Sequence, residues 1–128
     1  MQISEHDREI LRKLAGEVAA FSFDEEQERK RSMWKKHNRL EQERPLVVTY
    51  TEPPMWREVF PPGNLQCEGD FAREHENQLR ELIHWHSLGD DRPFEPCYFL
   101  PLVVHNSGWG VAPHTIGSGV QEGSMHFE

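Results

Sequence analysis

The order of the apolar segments limits the folds open to this 128-residue chain more than any motif does. Two segments, Leu46–Tyr50 and Phe94–Val104, are typical of short buried strands. A helix is predicted between them, from Asp70 to about Ser87, where Gly89 provides a stop signal. This order predicts two parallel strands joined by a right-handed crossover. Parallel sheets are normally covered on both faces, so the pattern predicts an α/β fold that is the start of a larger structure.

Two amphipathic helices are predicted before the first apolar segment. Ser4 followed by Asp7 resembles a capping box, and apolar residues then recur at helical spacing, which predicts a helix over residues 5–21. Ser22 repeats the start signal and predicts a second helix over about 24–39. Three regions follow: an N-terminal helical region (1–44), a strand–helix–strand unit (45–105) and a glycine-rich tail that is loop or disordered (106–128).

The charge balance bears on the class of partner. Acidic residues outnumber basic ones by 22 to 14, and the formal net charge is -8. Residues 45–128 contain only four basic residues, all arginines. A nucleic-acid binder needs a concentrated basic surface, so we expect no nucleic-acid partner.

The cysteines and the apolar runs bear on location. The longest continuous apolar run, Cys97–Val104, is far shorter than the roughly 20 residues of a membrane span, so no membrane partner is expected. No signal peptide opens the chain, and there are only two cysteines, Cys67 and Cys97. These features predict a cytoplasmic protein.

Two carboxylates are candidate catalytic residues. Glu52 lies just beyond the first predicted strand, and Glu95 lies at the start of the second. In β/α barrels the carboxyl ends of the strands face the active site, and Glu52 fits this rule by position. Glu95 fits it only if its strand is short. The alternative for both is an exposed loop carboxylate.

A metal site is a further alternative for three other residues. Cys67, His75 and Cys97 are of ligand type, but no close pair or repeat of ligands supports the set. The competing interpretation is two buried thiols and a histidine at the solvent edge. No residue of the chain is assigned to a metal or cofactor on this basis.

Several short segments resemble the N-terminal part of uroporphyrinogen decarboxylase-like proteins, and most closely the branch associated with cobalamin-dependent methyl transfer. The segments are Arg44-Pro45-Leu46-Val47-Val48, Leu65-Gln66-Cys67-Glu68, Glu95-Pro96 and the helix Phe71–Leu88. The resemblance implies a TIM-type β/α barrel preceded by helices, with Leu46–Tyr50 as the first barrel strand and Phe94–Val104 as the region of the second. This chain would then hold the first unit of an incomplete barrel.

The resemblance also separates two activities within the family. The decarboxylases carry an arginine-rich motif after the first strand, where this chain reads Tyr50-Thr51-Glu52-Pro53-Pro54. Their catalytic aspartate follows the second strand in a Phe-Ser-Asp motif, and the nearest counterpart here is Phe94-Glu95-Pro96, which shares only the Phe and an acid. True porphyrinogen decarboxylation is therefore not expected, because a polyanionic substrate would meet no cationic clamp. The methyltransferase branch uses zinc, held by later strands, and a corrinoid.

Two functions are expected. The first is the N-terminal part of a corrinoid-linked methyltransferase-type protein, inactive by itself, with a corrinoid protein as partner. The second is a stand-alone interaction or oligomerisation module that covers its exposed strand edges by self-association or with a partner protein.

Overall fold

A computed structural model describes residues 3–41 and 44–100, and the backbone of 115–117 and 125–127. The chain divides into two compact units, Met1–Tyr98 and Phe99–Glu128. The first unit contains the helices α1 (Glu5–Ser22), α2 (Glu25–Asn38), α3 (Pro53–Val59) and α4 (Asp70–Ser87), with a 3-10 turn at Pro62–Asn64 between the last two.

The core of the first unit lies between α1 and α4, which pack against each other. Leu14 and Phe21 of α1 are buried seven residues apart, and so are Ala72 and Leu79 of α4. A spacing of seven residues returns to the same side of a helix, so each helix presents one apolar stripe to the other. Trp56 of α3 is also buried. The helices predicted over 5–21 and from Asp70 to about Ser87 are confirmed.

The start of α1 follows the capping prediction. The Ser4 hydroxyl accepts a hydrogen bond from the Asp7 N–H at 3.0 Å. The helix predicted over about 24–39 is confirmed as α2, but its N-cap is Asp24 rather than Ser22, because α1 continues through Ser22. The Ser22 hydroxyl instead donates to the Val18 carbonyl at 2.7 Å, within α1.

Helix α2 is held to the rest of the unit mainly by polar contacts. The Arg31 guanidinium donates to the Phe94 carbonyl, and the Trp34 indole donates to the Asp91 carbonyl, at 2.8 and 2.7 Å. The side-chain oxygen Oε1 of the buried Gln27 accepts a hydrogen bond from the Phe94 N–H at 2.9 Å. The helix carries few apolar residues, and these long polar side chains dock it instead.

The prediction of a first strand over residues 46–50 is wrong. Leu46–Tyr50, here called the extended segment, has no strand beside it in the described part of the first unit. The Val47 N–H donates to Asp91 Oδ2 at 2.9 Å, and the Thr49 N–H donates to Asp90 Oδ2 at 2.7 Å. The Asp91 N–H donates back to the Val47 carbonyl. Two aspartates therefore provide the contacts that a neighbouring strand would have made.

The second predicted strand is also not seen in residues 94–100, and residues 101–104 lie outside the described chain. Phe94 is buried, with its ring edge-on to those of Phe21 and His86 at centroid distances of 5.2 and 5.7 Å. Its N–H and carbonyl are bound by side chains of α2. The predicted α/β class, with a strand–helix–strand unit of a TIM-type barrel, is therefore overturned. The described part of Met1–Tyr98 is helical.

The described residues of the second unit include a short antiparallel strand pair. Strands β1 (Thr115–Gly117) and β2 (Met125–Phe127) pair with Ile116 opposite His126. This pair lies in the segment predicted as a glycine-rich tail, and the sequence patterns gave no sign of it. The other residues of the predicted tail, 106–114, 118–124 and 128, lie outside the described residues.

Replacement of Asp91 tests the hydrogen bonding of the extended segment. We expect Asp91→Asn to lower the free energy of unfolding by about 2 kcal/mol, because the bonds from Arg44 and the Val47 N–H lose their charged acceptor. Urea unfolding followed by circular dichroism measures the change. Asp24→Asn is the control, since the Asp24 side chain makes no cap hydrogen bond. Equal stability of the Asp91 and Asp24 variants would contradict the assignment.

Candidate functional site

The two predicted catalytic carboxylates lie in different surroundings. Glu52 occupies the N-cap of α3, where it is exposed and its side chain makes no cap hydrogen bond. Glu95 accepts a hydrogen bond from Arg31 Nε at 3.3 Å, and its side chain is 55% exposed. The Glu95 side chain is bound by Arg31 of α2, whereas the main-chain carbonyl of Glu52 is bound by the Trp56 N–H of α3. These hydrogen bonds give the two residues no partner in common. A catalytic role for either remains a prediction.

The three candidate metal ligands do not assemble. Among the described residues, no group of three histidine, cysteine or acidic side chains is placed to hold a metal ion. Cys67 is buried, whereas Cys97 is exposed. The Nδ1 atom of His75 lies 2.8 Å from the Tyr98 hydroxyl. Zinc binds thiolate sulfur, and burial, reinforced by Glu76, raises the pKa of the Cys67 thiol to about 12. These residues do not fit a zinc site.

Three buried acidic residues, Asp7, Glu76 and Asp91, hold separate segments of the unit together and are here called the carboxylate anchors. Asp7 of α1 accepts hydrogen bonds from the N–H groups of Glu68 and Gly69, at 2.8 and 3.1 Å. The Glu68 amide is the main reason that the pKa of Asp7 lies below its usual value. A Cβ at Gly69 would lie 3.3 Å from Asp7 Oδ2, so this approach suits glycine.

Glu76 of α4 is the second anchor and is fully buried. Its carboxylate accepts from the N–H of Gln66 at 2.9 Å and from that of Cys67 at 2.8 Å. Arg80, one turn further along α4, donates to it at 2.8 Å. Burial opposes ionisation of Glu76, but these amide and guanidinium donors outweigh it and hold its pKa below the usual range. The loop before α4 is thereby fastened to α4 itself.

Asp91 is the third anchor. Arg44 donates to both of its oxygens, at 2.7 and 2.6 Å. This bidentate contact, followed by the Val47 amide, holds the pKa of Asp91 well below its usual range. The anchors are thus ionised at neutral pH, and their oxygens bind N–H groups of the chain.

A cleft of about 410 Å³ lies where α3 faces α4. Its wall includes Trp56, whose indole N–H donates to Asn77 at 2.9 Å, and Arg73, which donates to the Cys67 carbonyl at 2.9 Å. Burial raises the pKa of Glu81, a further wall residue, against the opposing effects of Arg92 and His84. Trp56, Asn77 and Arg73 are thus engaged in contacts within the unit.

The sequence reasoning missed the anchors. Glu76 and Arg80 are four residues apart on a helix, a spacing that predicts an exposed ion pair. Nothing in the local pattern indicates that the carboxylate faces inward and binds the amides of residues 66 and 67. Asp7 carried a signal, since Ser4 followed by Asp7 resembles a capping box, but that pattern does not indicate that the Asp7 carboxylate also binds the amides of Glu68 and Gly69.

Comparisons with protein-family models, with curated proteins and with solved structures found no match. No relative therefore assigns a role to a residue of this chain. Within the described residues, no helix is long and apolar enough to cross a membrane.

The lowered pKa values of the carboxylate anchors predict that the protein loses stability in acid. Their native pKa values lie below the usual values of 3.8 for Asp and 4.5 for Glu, so their contribution is complete above about pH 5 and declines as the pH falls through the native values. Unfolding free energies from urea titrations between pH 7 and pH 3 measure this decline.

The variant Glu76→Gln tests the contribution of one anchor. We expect it to lower the free energy of unfolding at pH 7 by about 3 kcal/mol and to flatten the dependence of that free energy on pH.

The matched control for this measurement is Glu58→Gln, because Glu58 is exposed on α3. It should reproduce the wild-type curve. A wild-type stability that stays constant down to pH 3, or a Glu76→Gln curve parallel to wild type, would count against the anchoring role.

The two thiols are expected to react at different rates. Cys97 is exposed, whereas Cys67 is buried and its pKa is raised to about 12, so it holds little thiolate at pH 8. With Ellman's reagent, we expect one equivalent of thiol to react in the native protein and a second only after unfolding in guanidinium. Cys97→Ser should abolish the native reaction. Simultaneous reaction of both thiols in the native state would contradict the burial of Cys67.

Proposed function

We propose that this chain is a non-catalytic helical region of a uroporphyrinogen decarboxylase-like protein of the corrinoid-linked methyltransferase type, and that it binds protein rather than converting a substrate. In the family that it resembles, helices precede the barrel. The helical unit is assigned to that part and not to the first barrel strands.

The use of the buried carboxylates carries this proposal. A catalytic carboxylate needs an oxygen that reaches the substrate. Asp7, Glu76 and Asp91 are buried and bind N–H groups of the chain. These carboxylates stabilise the fold, and no step of a methyl transfer is assigned to them.

The position of the resembling segments adds support. Arg44 is the partner of Asp91, and residues 66 and 67 are bound by Glu76. Glu68, from the same segment, is bound by Asp7, and Phe71–Leu88 includes most of α4. The likeness therefore falls on residues that hold this unit together. Such a likeness is typical of a shared framework rather than of a shared set of reacting groups.

Partners and location follow as parts of the same proposal. The partner is a corrinoid protein or a second copy of the chain, and zinc and the corrinoid are held outside the residues described. A cytoplasmic location is proposed because Cys67 and Cys97 are both free thiols. The acidic balance, with a net charge of -8, argues against nucleic acid.

A stand-alone interaction module is the second candidate, and one observation favours it. Large apolar side chains are exposed close together in sequence: Val47 is 62% exposed, Tyr50 71%, Met55 56% and Val59 52%. Exposed apolar side chains that form a patch mark interaction surfaces. This candidate needs no barrel.

An activity assay tests the non-catalytic part of the proposal. The chain is mixed with methylcobalamin, a small thiol and zinc, and demethylation is followed by absorbance. We expect the rate of the buffer control. A rate above that control that is lost in the double variant Glu52→Gln and Glu95→Gln would overturn the proposal and establish the two carboxylates as catalytic.

The gene beyond the codon for Glu128 tests the family assignment. We expect the reading frame to continue into the β/α units of a barrel. A stop codon directly after Glu128 would remove the methyltransferase-type assignment and leave the stand-alone module as the function.

A further inference from the structure

One carboxylate that is shielded from solvent has no partner among the described residues. Four other acidic side chains of the described chain are buried or half-buried, and all of them accept hydrogen bonds: Asp7, Glu76, Asp90 and Asp91. Glu81 of α4 is half-buried and forms no hydrogen bond or ion pair with a described residue. A shielded carboxylate without donors lowers stability, so Glu81 is suited to a cation that comes from outside the unit.

The pKa of Glu81 separates it from the carboxylate anchors. The pKa values of the anchors lie below the usual range, whereas burial raises the pKa of Glu81. The charges of Arg92 and His84 oppose this rise without outweighing it. The Arg92 guanidinium donates to the Thr49 carbonyl at 2.6 Å and lies over the Trp85 ring, and it forms no ion pair with Glu81. The described residues therefore leave the charge of Glu81 uncompensated.

Glu81 lies in the wall of the cleft of about 410 Å³ between α3 and α4. Ligand sites are commonly clefts of roughly 300–1,000 Å³ with apolar walls and a small number of polar groups. The wall here includes the rings of Trp56 and Phe60, which stack on each other at a centroid distance of 5.8 Å. Pro53 and Pro62 fix the backbone at two further wall positions. Walls that are ordered in this way reduce the entropy lost on binding.

The chemistry of the wall selects an organic cation over a metal ion. Hard metal ions take several oxygen ligands, and no group of three histidine, cysteine or acidic side chains in the described chain is placed to provide them. The Asn77 oxygen, also in the wall, already accepts from the Trp56 indole. An ammonium group requires only one carboxylate to balance its charge, and the two aromatic rings suit a ligand with an aromatic body.

The two arginines of the wall do not occupy Glu81. Arg73 lies about two turns before Glu81 on α4, roughly 12 Å along the axis. Its guanidinium donates to the carbonyls of Cys67 and Pro62, both at 2.9 Å. Arg57 of α3 is exposed, and neither arginine is among the groups whose charge acts on Glu81. The part of the cleft beside Glu81 is therefore the part that attracts a cation.

We propose that the cleft between α3 and α4 binds a small aromatic amine, with its ammonium group paired to Glu81 and its ring against Trp56 and Phe60. The ammonium group supplies the donors that Glu81 lacks, and hydrogen bonds between charged groups are strengthened where water is partly excluded. The inference goes beyond the proposed function, because it requires neither a protein partner nor a barrel.

Titration of the ¹⁵N-labelled chain with 2-phenylethylamine at pH 7, where the amine is protonated, tests the site. The assigned indole N–H signal of Trp56 is the reporter, because this group is bound to Asn77 in the wall. We expect a saturable shift with a dissociation constant on the order of 0.1 to 1 mM. The neutral analogue 2-phenylethanol has the same ring without the charge, and should bind about 10-fold more weakly.

The variant Glu81→Gln removes the counter-ion and keeps the shape of the side chain. It should raise the dissociation constant of the amine about 10-fold and leave that of 2-phenylethanol unchanged. Glu58→Gln makes the same charge change on an exposed residue of α3 and should alter neither constant. Since burial raises the pKa of Glu81, its ionised form destabilises the fold at pH 7, and Glu81→Gln should shift the midpoint of urea unfolding upward.

Each of the other outcomes overturns the proposal. The Trp56 signal may not shift by about 10 mM amine, or may shift without saturating. Equal affinities for the amine and the alcohol, or an unchanged amine affinity in Glu81→Gln, would exclude Glu81 as the counter-ion. A lower urea midpoint in Glu81→Gln would show that the carboxylate has a partner within the unit. The methyl-transfer assay does not involve this cleft, so these results leave the non-catalytic assignment standing.

Discussion

Carboxylate oxygens bound to main-chain N–H groups hold this small helical unit together. Asp7, Glu76 and Asp91 each join segments that are far apart in sequence or that have no secondary structure of their own. A buried N–H without a partner is costly, and a buried carboxylate without donors is costlier still. Each group removes the penalty of the other, so the hydrogen bonds fasten the irregular connections to the rest of the unit. The packing of α1 on α4 then has fixed loops at its ends.

This arrangement explains which parts of the fold could be predicted from the sequence. Helices α1 and α4 were predicted because apolar periodicity and end signals are local properties. The strand prediction for Leu46–Tyr50 failed because composition reports only that a segment favours an extended backbone. It does not report whether the hydrogen-bond partner is another strand or the side chains of Asp90 and Asp91.

The candidate site shows the same limit. Glu52 was singled out by its position after the first predicted strand and Glu95 by its position at the start of the second, and without those strands the positional argument is lost. Glu76 was not singled out, since a buried carboxylate and an exposed one look alike in a helical sequence. Its role depends on the amides of residues 66 and 67, which the fold and not the local pattern brings into reach.

The docking of α2 has a thermodynamic consequence. Contacts made by burying apolar surface, as between α1 and α4, carry a large heat-capacity change and weaken on cooling. Those made by Gln27, Arg31 and Trp34 to the backbone of residues 91 and 94 are polar, and polar surface contributes with the opposite sign. We therefore expect the polar attachment of α2 to weaken less on cooling than the apolar packing of α1 on α4.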